Sequence, residues 1–291
     1  MATQFIAPSE MIINPDGSIF HLHLHPEQLT DRIILVGDPG RVDMVASFFD
    51  TKTFEISSRE FHTIGGTFNG NPIMCLSHGI GPDNIDIVIN ELDALANIDF
   101  NTRTIKETHR TLTMVRIGTS GALQPELKVG TSVIADKAIG FDGVLNFYAG
   151  RNEIVDLDFE HAFCEYVNWN PLWAKPYVID ADADLVAQIG QDDMIKGNTI
   201  SAIGFYGPQG RELRLPLANP SLNKLIESFH YNGRKITNYE MESAPLQGLA
   251  KMLGHKAMTV CSIIANRMNH DATPNYKTAI QDLVATVLER I

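Results

Sequence analysis

The chain has 291 residues, 44% of them apolar, with a formal net charge of −12. That apolar content supplies a large core, while so acidic a surface argues against nucleic-acid binding, which rests on Lys and Arg neutralising phosphates. A small anion is not excluded, because it needs only a few arginines converging locally. No run of about 18 apolar residues occurs, and no basic segment followed by an apolar stretch opens the chain. No membrane span or signal peptide is therefore expected, and the expected location is the cytoplasm. Cys75, Cys164 and Cys261 are odd in number and unclustered, the pattern of reduced thiols rather than a disulfide framework or a zinc site.

In chain order, His21-Leu22-His23-Leu24-His25 comes first. On a strand its three imidazoles would share one face, as at some metal sites, but no carboxylate has companion spacing and no metal is assigned. Ile33 to Val36 reads as a buried strand broken by Gly37-Asp38-Pro39-Gly40. Val42, Val45, Ala46 and Phe49 then mark one face of a helix over 41–49. Strand, glycine turn and helix together aim backbone N–H groups at an anion. A second strand over 73–76 ends at Gly79-Ile80-Gly81-Pro82, and Asp83 is the expected cap of a helix carrying Ile85, Val88, Ile89, Leu92, Leu95 and Ala96. The polar segment 97–111 reads as a surface excursion. Strands are predicted over 113–117, running into Gly118-Thr119-Ser120-Gly121, and over 133–135. Asp142 and Asp158 read as solvated surface residues. Ser243 and Pro245 signal a helix through Leu246, Leu249, Met252 and Leu253. A strand over 257–264 and a helix carrying Ile280, Leu283, Val284, Val287, Leu288 and Ile291 close the chain. Alternating strands and helices without a linker or repeat predict one α/β domain over 1–291, layered on a central sheet.

Two groups of residues carry the chemistry. Arg41, Arg59 and Arg116 each adjoin a turn or strand signal, and guanidinium groups bind phosphate oxygens bidentately. The Thr119 hydroxyl and the N–H groups of Gly37 and Gly118 would complete such a cradle. Taken singly, each arginine fits a surface ion pair equally well. Glu242 offers an acceptor-only carboxylate to a sugar hydroxyl, and Gln209 with Arg211 offers both hydrogen-bond polarities to a flat amide-like ring edge. Glu242 at a helix start is also what the helix dipole favours on its own.

Six segments in register, Gly37 to Val42, Arg59 to Phe61, Arg116 to Ala122, Phe205 to Arg211, Asn238 to Ser243 and Asn266-Arg267, resemble the nucleoside phosphorylase family, and within it the uridine phosphorylases. The resemblance covers nearly the whole chain. It implies a three-layer αβα sandwich around a central mixed, partly barrel-like sheet. It also implies phosphate binding by Gly37, Arg41, Arg116 and Thr119, with Arg59 reaching in from a neighbouring subunit. Ribose would be held by Glu240, Met241 and Glu242, with His21 at the 5′-hydroxyl of the adjacent subunit's nucleoside. The base would lie on Phe205 and meet Gln209, Arg211 and, through water, Arg267.

The implied reaction is reversible phosphorolysis of uridine to uracil and α-D-ribose 1-phosphate in pyrimidine nucleoside salvage, with Arg116, Glu242, Arg211 and Gln209 carrying catalysis. No cofactor is required, since inorganic phosphate is a substrate. Glu60 resembles a ligand of a structural potassium ion. The implied assembly is at least a homodimer, with a hexamer built as a trimer of dimers as the larger alternative. Two departures from the family's wording stand out: Tyr206-Gly207-Pro208-Gln209-Gly210-Arg211 exchanges Pro and Gly, and Asp83 replaces a small hydroxyl residue. Competing readings are a purine nucleoside phosphorylase of the same fold, a nucleosidase and a non-catalytic nucleoside-binding protein. The absence of an acid in Cys261 to Arg267 speaks against the first, and the phosphate-type arginines against the second.

Overall fold

The computed structural model describes residues 5–269, 271, 272 and 276–291. Its first part runs β1 (Arg32–Val36), α1 (Pro39–Ala46), β2 (Thr51–Ser58), β3 (Phe61–Phe68), β4 (Asn71–Ser77) and α2 (Pro82–Asn97). A small hairpin, β5 (Ile98–Asp99) and β6 (Thr104–Ile105), leads to β7 (Thr113–Ala122) and β8 (Ser132–Gly140). Then follow α3 (Leu157–Tyr166), β9 (Tyr177–Asp180), α4 (Ala183–Ile189), β10 (Ile195–Ser201), α5 (Leu222–Ser228), β11 (His230–Tyr231) and β12 (Arg234–Glu240). The chain ends with α6 (Ser243–Met252), β13 (Lys256–Asn266), β14 (Asp271–Ala272) and α7 (Lys277–Arg290).

The alternation of side chains along β1 builds the layers. Ile33 and Leu35 enter a core with Ile85, Val88 and Leu92 of α2 and Leu246 and Leu249 of α6. Ile34 and Val36 enter the opposite core, with Val42 and Val45 of α1 and Leu283, Val284 and Val287 of α7. Helices thus cover both faces, as a sheet of parallel strands buried on both sides requires. Burial of each such aliphatic side chain stabilises the fold by about 1.5–3 kcal/mol before entropy is counted. A third core lies beneath α3 and α5, where Phe159, Phe163, Leu222 and Ile226 pack on Ile139, Ile200 and Ile236.

Strands β4, β1, β7 and β13 are parallel neighbours. β13 meets β8 antiparallel, and β8, β10 and β12 continue in parallel. β12 then returns to β7 through Asn238↔Ala122 and Tyr239↔Gly121, so β7, β13, β8, β10 and β12 form a closed ring. The sandwich with a mixed, partly barrel-like sheet is therefore as expected.

Several local expectations change. Residues 21–25 form a turn and extended chain rather than a strand, so the three histidines do not share a face. The α2 cap is Gly81 rather than Asp83, with Pro82 at the first helical position. The segment 97–111 carries a hairpin, and its Lys106 Nζ donates to the Ala96 carbonyl at 2.8 Å, capping the end of α2. Asp142 is not a solvated residue. It accepts from Val144 N at 2.7 Å and from the buried Tyr177 hydroxyl at 2.9 Å, and burial pushes its carboxyl up to about 6. Asp158 is exposed, as expected.

Candidate active site

The ring of strands and the ends of β1 and β4 surround a cavity of about 710 Å³. Its wall includes Gly37, Arg41, Arg116 and Thr119 on one side, Glu240, Met241 and Glu242 on a second, and Phe205, Gln209 and Arg211 on a third. Residues drawn from positions 37 to 242 of the chain thus meet in one place.

Arg116 is the centre of this arrangement. It lies on β7 and is 4% exposed, and each end of its guanidinium is engaged. Nε donates to His78 Nε2 at 3.1 Å, Nη1 to Glu240 Oε2 at 2.9 Å and to Cys261 Sγ at 3.6 Å, and Nη2 to Glu242 Oε2. Burial works against the arginine's charge, but Glu242 and Glu240 outweigh it and hold its pKa above the usual value. The other Glu242 oxygen accepts from Gly81 N at 2.9 Å. Burial raises the Glu242 carboxyl, Arg116 pulls it back, and Glu240 adds to the rise. Gly81 reaches Glu242 from a backbone with φ 98°, a region closed to most side chains.

Glu240 and Glu242 are used differently. Glu240 accepts from Arg116, from the Ser201 hydroxyl, from Glu242 N at 2.8 Å and from Ser243 N at 2.9 Å. Its oxygens are spent within the protein, and they fix the first turn of α6. Among the described residues, the side chain of Glu242, the N-cap position of α6, accepts from Arg116 and Gly81. A carboxylate with two oxygens has about four acceptor positions, so Glu242 retains capacity for a hydroxyl.

Gly118 contributes by having no side chain. A Cβ there would lie 2.7 Å from Arg116 Nη1 and 2.9 Å from Cys261 Sγ. Cys261 is buried and its thiol is pushed up to about 12, so it is an uncharged neighbour of the arginine. Arg116 is two residues away on the same strand, but the contact with Cys261 of β13 is not visible in the sequence.

The anion side is more open. Asp38 caps α1 by accepting from Gly40 N at 2.9 Å, which leaves Gly37 at the turn and Arg41 in the first helical turn. The Arg41 guanidinium stands 5.9 Å from the Tyr276 ring. Thr119 and Arg116 complete this side of the wall. Three further ligand-type groups, Asp43, Glu55 and His62, come within 4.8 Å of one another. His62 already bonds Glu55 Oε1 at 3.1 Å and the Pro39 carbonyl at 3.3 Å, so this group ties α1 to β2.

The opposite side is a loop. The Arg211 guanidinium stacks 3.8 Å over the Phe205 ring and donates to the Phe205 carbonyl and to Gln209 Oε1. Arg267 does not line the cavity. It donates to the Gln209 carbonyl and, at 3.2 Å, to the Gly210 carbonyl, so it clamps the loop from behind. Burial lowers the Arg211 pKa, and the charge of Arg267 lowers it further, so this corner favours a carbonyl-rich or anionic guest. Behind the loop lies a second cavity of about 750 Å³, walled mainly by Phe141, Trp169, Trp173, Leu217 and Leu222, with Arg211 at its boundary. In the first, arginines, carboxylates and an amide converge.

His21 and Arg59 lie outside the cavity wall. His21 Nδ1 pairs with Glu91 at 2.6 Å and its ring packs on Phe20. The Arg59 guanidinium stands 5.8 Å from the same Phe20 ring, and Arg59 has φ 56°. Glu60, its neighbour, does line the cavity.

Fold and cavity together define an α/β protein in which arginines beside a glycine turn, a pair of carboxylates and a loop carrying Gln209 and Arg211 share one chamber. The chain belongs to the phosphorylase superfamily, whose family model matches residues 31–291. It is 29% identical over 280 residues to the uridine phosphorylase of Thermococcus kodakarensis, covering 93% of this chain and 85% of that one. To the uridine phosphorylase of Haemophilus influenzae it is 29% identical over 275 residues, covering 91% and 92%. Among solved structures it superposes with a TM-score of 0.87 on a Trypanosoma brucei nucleoside phosphorylase described as showing uridine phosphorylase activity, at 26% identity and 96% and 98% coverage. A Toxoplasma gondii purine nucleoside phosphorylase shares the fold, with a TM-score of 0.64 at 21% identity.

Proposed function

We propose that the protein is a uridine phosphorylase, a pentosyltransferase that cleaves uridine with phosphate to give uracil and α-D-ribose 1-phosphate. The observation that carries this reading is Arg116 paired with Glu242 in the wall that also holds Gln209 and Arg211. Phosphate is bound by Arg116, Arg41, Thr119 and the Gly37 turn, which fix it beneath C1′ and supply the orientation in advance of reaction. Its negative charge stabilises the oxocarbenium-like sugar as the glycosidic bond stretches. Glu242 accepts from ribose hydroxyls, Met241 packs on the sugar, and Glu240 holds both Arg116 and the α6 start in place. Gln209 and Arg211 donate to the uracil carbonyls and stabilise the charge that develops on the leaving base, with Phe205 against its face. Arg267 serves the base by holding the loop that carries Gln209.

No cofactor enters this scheme, and a potassium ion at Glu60 would be structural. His21 and Arg59, outside the cavity of their own chain, are assigned to the nucleoside and phosphate of an adjacent subunit, which makes the working unit at least a homodimer. Salvage of free uridine fits a cytoplasmic enzyme, and that location belongs to the same reading. Among the described residues, no helix is long and apolar enough to cross a membrane.

A purine substrate is disfavoured by Asn266 at the end of β13. Its side-chain nitrogen donates to the Gln124 and Leu127 carbonyls at 2.9 and 2.7 Å, and its oxygen accepts from Met268 N at 2.9 Å. That position therefore offers no proton to a purine N7. The test is an ultraviolet assay of base release from uridine, deoxyuridine, thymidine and inosine, with and without phosphate. Phosphate-dependent release of uracil, faster than release of hypoxanthine, is the expected result. Equal release in phosphate-free buffer overturns the assignment.

A further inference from the structure

Beneath the anion subsite lies a histidine that adjoins two of its parts, the Gly37 turn and Arg116. His78 follows β4 and is fully buried. Its backbone N donates to the Val36 carbonyl at 2.9 Å, at the end of β1 and one residue before the Gly37 turn. Its ring carbon Cε1 lies 3.7 Å from the place a Cβ on Gly37 would occupy, so the imidazole packs under the turn itself. Its Nε2 accepts the Nε–H of Arg116. His78 thus joins the β1 turn to the β7 arginine.

The chemistry of that bond restricts what this position can be. An arginine Nε–H needs an acceptor, and imidazole is one only when neutral with its proton on Nδ1. Burial, the Arg116 charge and, more weakly, the Arg41 charge all lower the His78 pKa, against a smaller opposing pull from the Gly79 backbone. The ring therefore stays neutral across the working range. Without it the guanidinium would be held only by Glu240, Glu242 and the Cys261 sulfur, all at its far ends. Its Nε edge would then lose the contact that steadies the plane it presents to an anion.

We propose that His78 is a positioning residue for phosphate: by accepting from Arg116 Nε and packing under Gly37, it sets the plane of the guanidinium and the height of the turn against each other. This rests on the phosphorolysis reading given above and assigns to the anion subsite a residue that does not itself touch the substrate.

The experiment compares the unmutated protein with His78→Leu and His78→Gln, whose amide oxygen can replace Nε2 as acceptor. Steady-state KM for phosphate and for uridine is measured alongside kcat, and inorganic phosphate affinity is measured by calorimetry in the absence of nucleoside. For His78→Leu, the KM and Kd for phosphate should rise about tenfold or more, the loss expected for a hydrogen bond to a charged group. The uridine KM should change about twofold or less, and His78→Gln should recover most of the phosphate affinity. Should His78→Leu fail to fold, His78→Asn, too short to reach Nε, is read in the same way. Equal rises in both KM values, an unchanged phosphate Kd, or failure of Gln to rescue overturns the proposal. If the unmutated protein binds phosphate but releases no uracil, the functional reading falls and the calorimetric comparison still decides the role of His78. If it binds no phosphate, both fall.

Discussion

Arg116 and Glu242 form an ion pair that almost no solvent reaches, with side-chain exposures of 5% and 6%. A buried pair of this kind is weak support for stability in itself, yet removing one partner leaves an unpaired charge in a poorly solvated place. Glu240, 1% exposed at its side chain and paired to the same guanidinium, doubles that effect. Arg116 therefore carries structure as well as chemistry, and the two can be separated experimentally.

Arg116→Ala should lower kcat/KM for phosphorolysis by at least a factor of about 100, since a charged contact to the transition state contributes about 3 kcal/mol. It should also lower unfolding stability by about 3–5 kcal/mol, because Glu240 and Glu242 are left facing each other. Arg116→Ala combined with Glu242→Gln should restore part of the stability and none of the activity. Urea denaturation and the phosphate-dependent assay, run on the same preparations, check both.

The base loop offers a second test. Arg267 donates two hydrogen bonds to loop carbonyls and does not line the cavity. Arg267→Ala should raise the uridine KM about tenfold, while the KM for phosphate stays within about twofold; two hydrogen bonds from a charged donor set that scale. A change in both would show that the loop is not an independent unit. Gln209→Ala with Arg211→Ala should go further and abolish the preference for uracil over other bases, because a site built to hydrogen-bond rejects guests that leave its groups unpaired.

Shared sites predict complementation between dead variants. Arg59→Ala and Glu242→Ala should each be inactive alone. Mixed under conditions that allow subunit exchange, they should regain activity in those sites that receive both intact residues, because a two-fold interface places two such sites together. An inactive mixture with demonstrated exchange, or a monomer with the full rate, contradicts shared sites.

Asp142 predicts a pH effect on stability. Its carboxyl, raised from 3.8 to about 6 in the folded protein, binds protons more readily than in the unfolded chain. Between about pH 4 and 6 the folded state therefore holds more protons, so this group's contribution falls as pH rises through that window and is flat above it. The shift corresponds to about 3 kcal/mol. Asp142→Asn keeps an oxygen for Tyr177 and Val144, and it should be more stable than the unmutated protein at pH 7.5 and lose the advantage near pH 4. Urea midpoints for both proteins at the two pH values provide the measurement.

Much of this was legible in the sequence, for reasons that differ by residue. The turn at Gly37, the helix start at Glu242 and the strand under Arg116 depend on neighbours within a few positions, so local pattern sufficed. The β2–β3 hairpin was not anticipated: Thr51 to Ser58 is largely exposed, and Gly65-Gly66 interrupts the apolar signal of β3. Arg267 looked like a base contact because its sequence neighbours gave no sign that loop carbonyls 57 and 58 residues away would take its donors. Asp142 looked solvated for the same reason, since the hydroxyl that donates to it belongs to Tyr177, 35 residues later. Gly118 meets Cys261 of β13, and His78 meets Arg116 of β7, and no spacing rule reports such contacts.

The seam between β7 and β12 is short, with only two residue pairs joining the strands, and it lies between Arg116 and Glu240. Those two residues are 124 positions apart, and most of the chain's elements between them must be in place before they can meet. Contacts so distant in sequence form late, because the loop they close must be ordered first. During refolding, helical and sheet signals should consequently return before catalysis does. Enzyme activity, rather than circular dichroism, would then report the final step by which a newly made chain becomes whole.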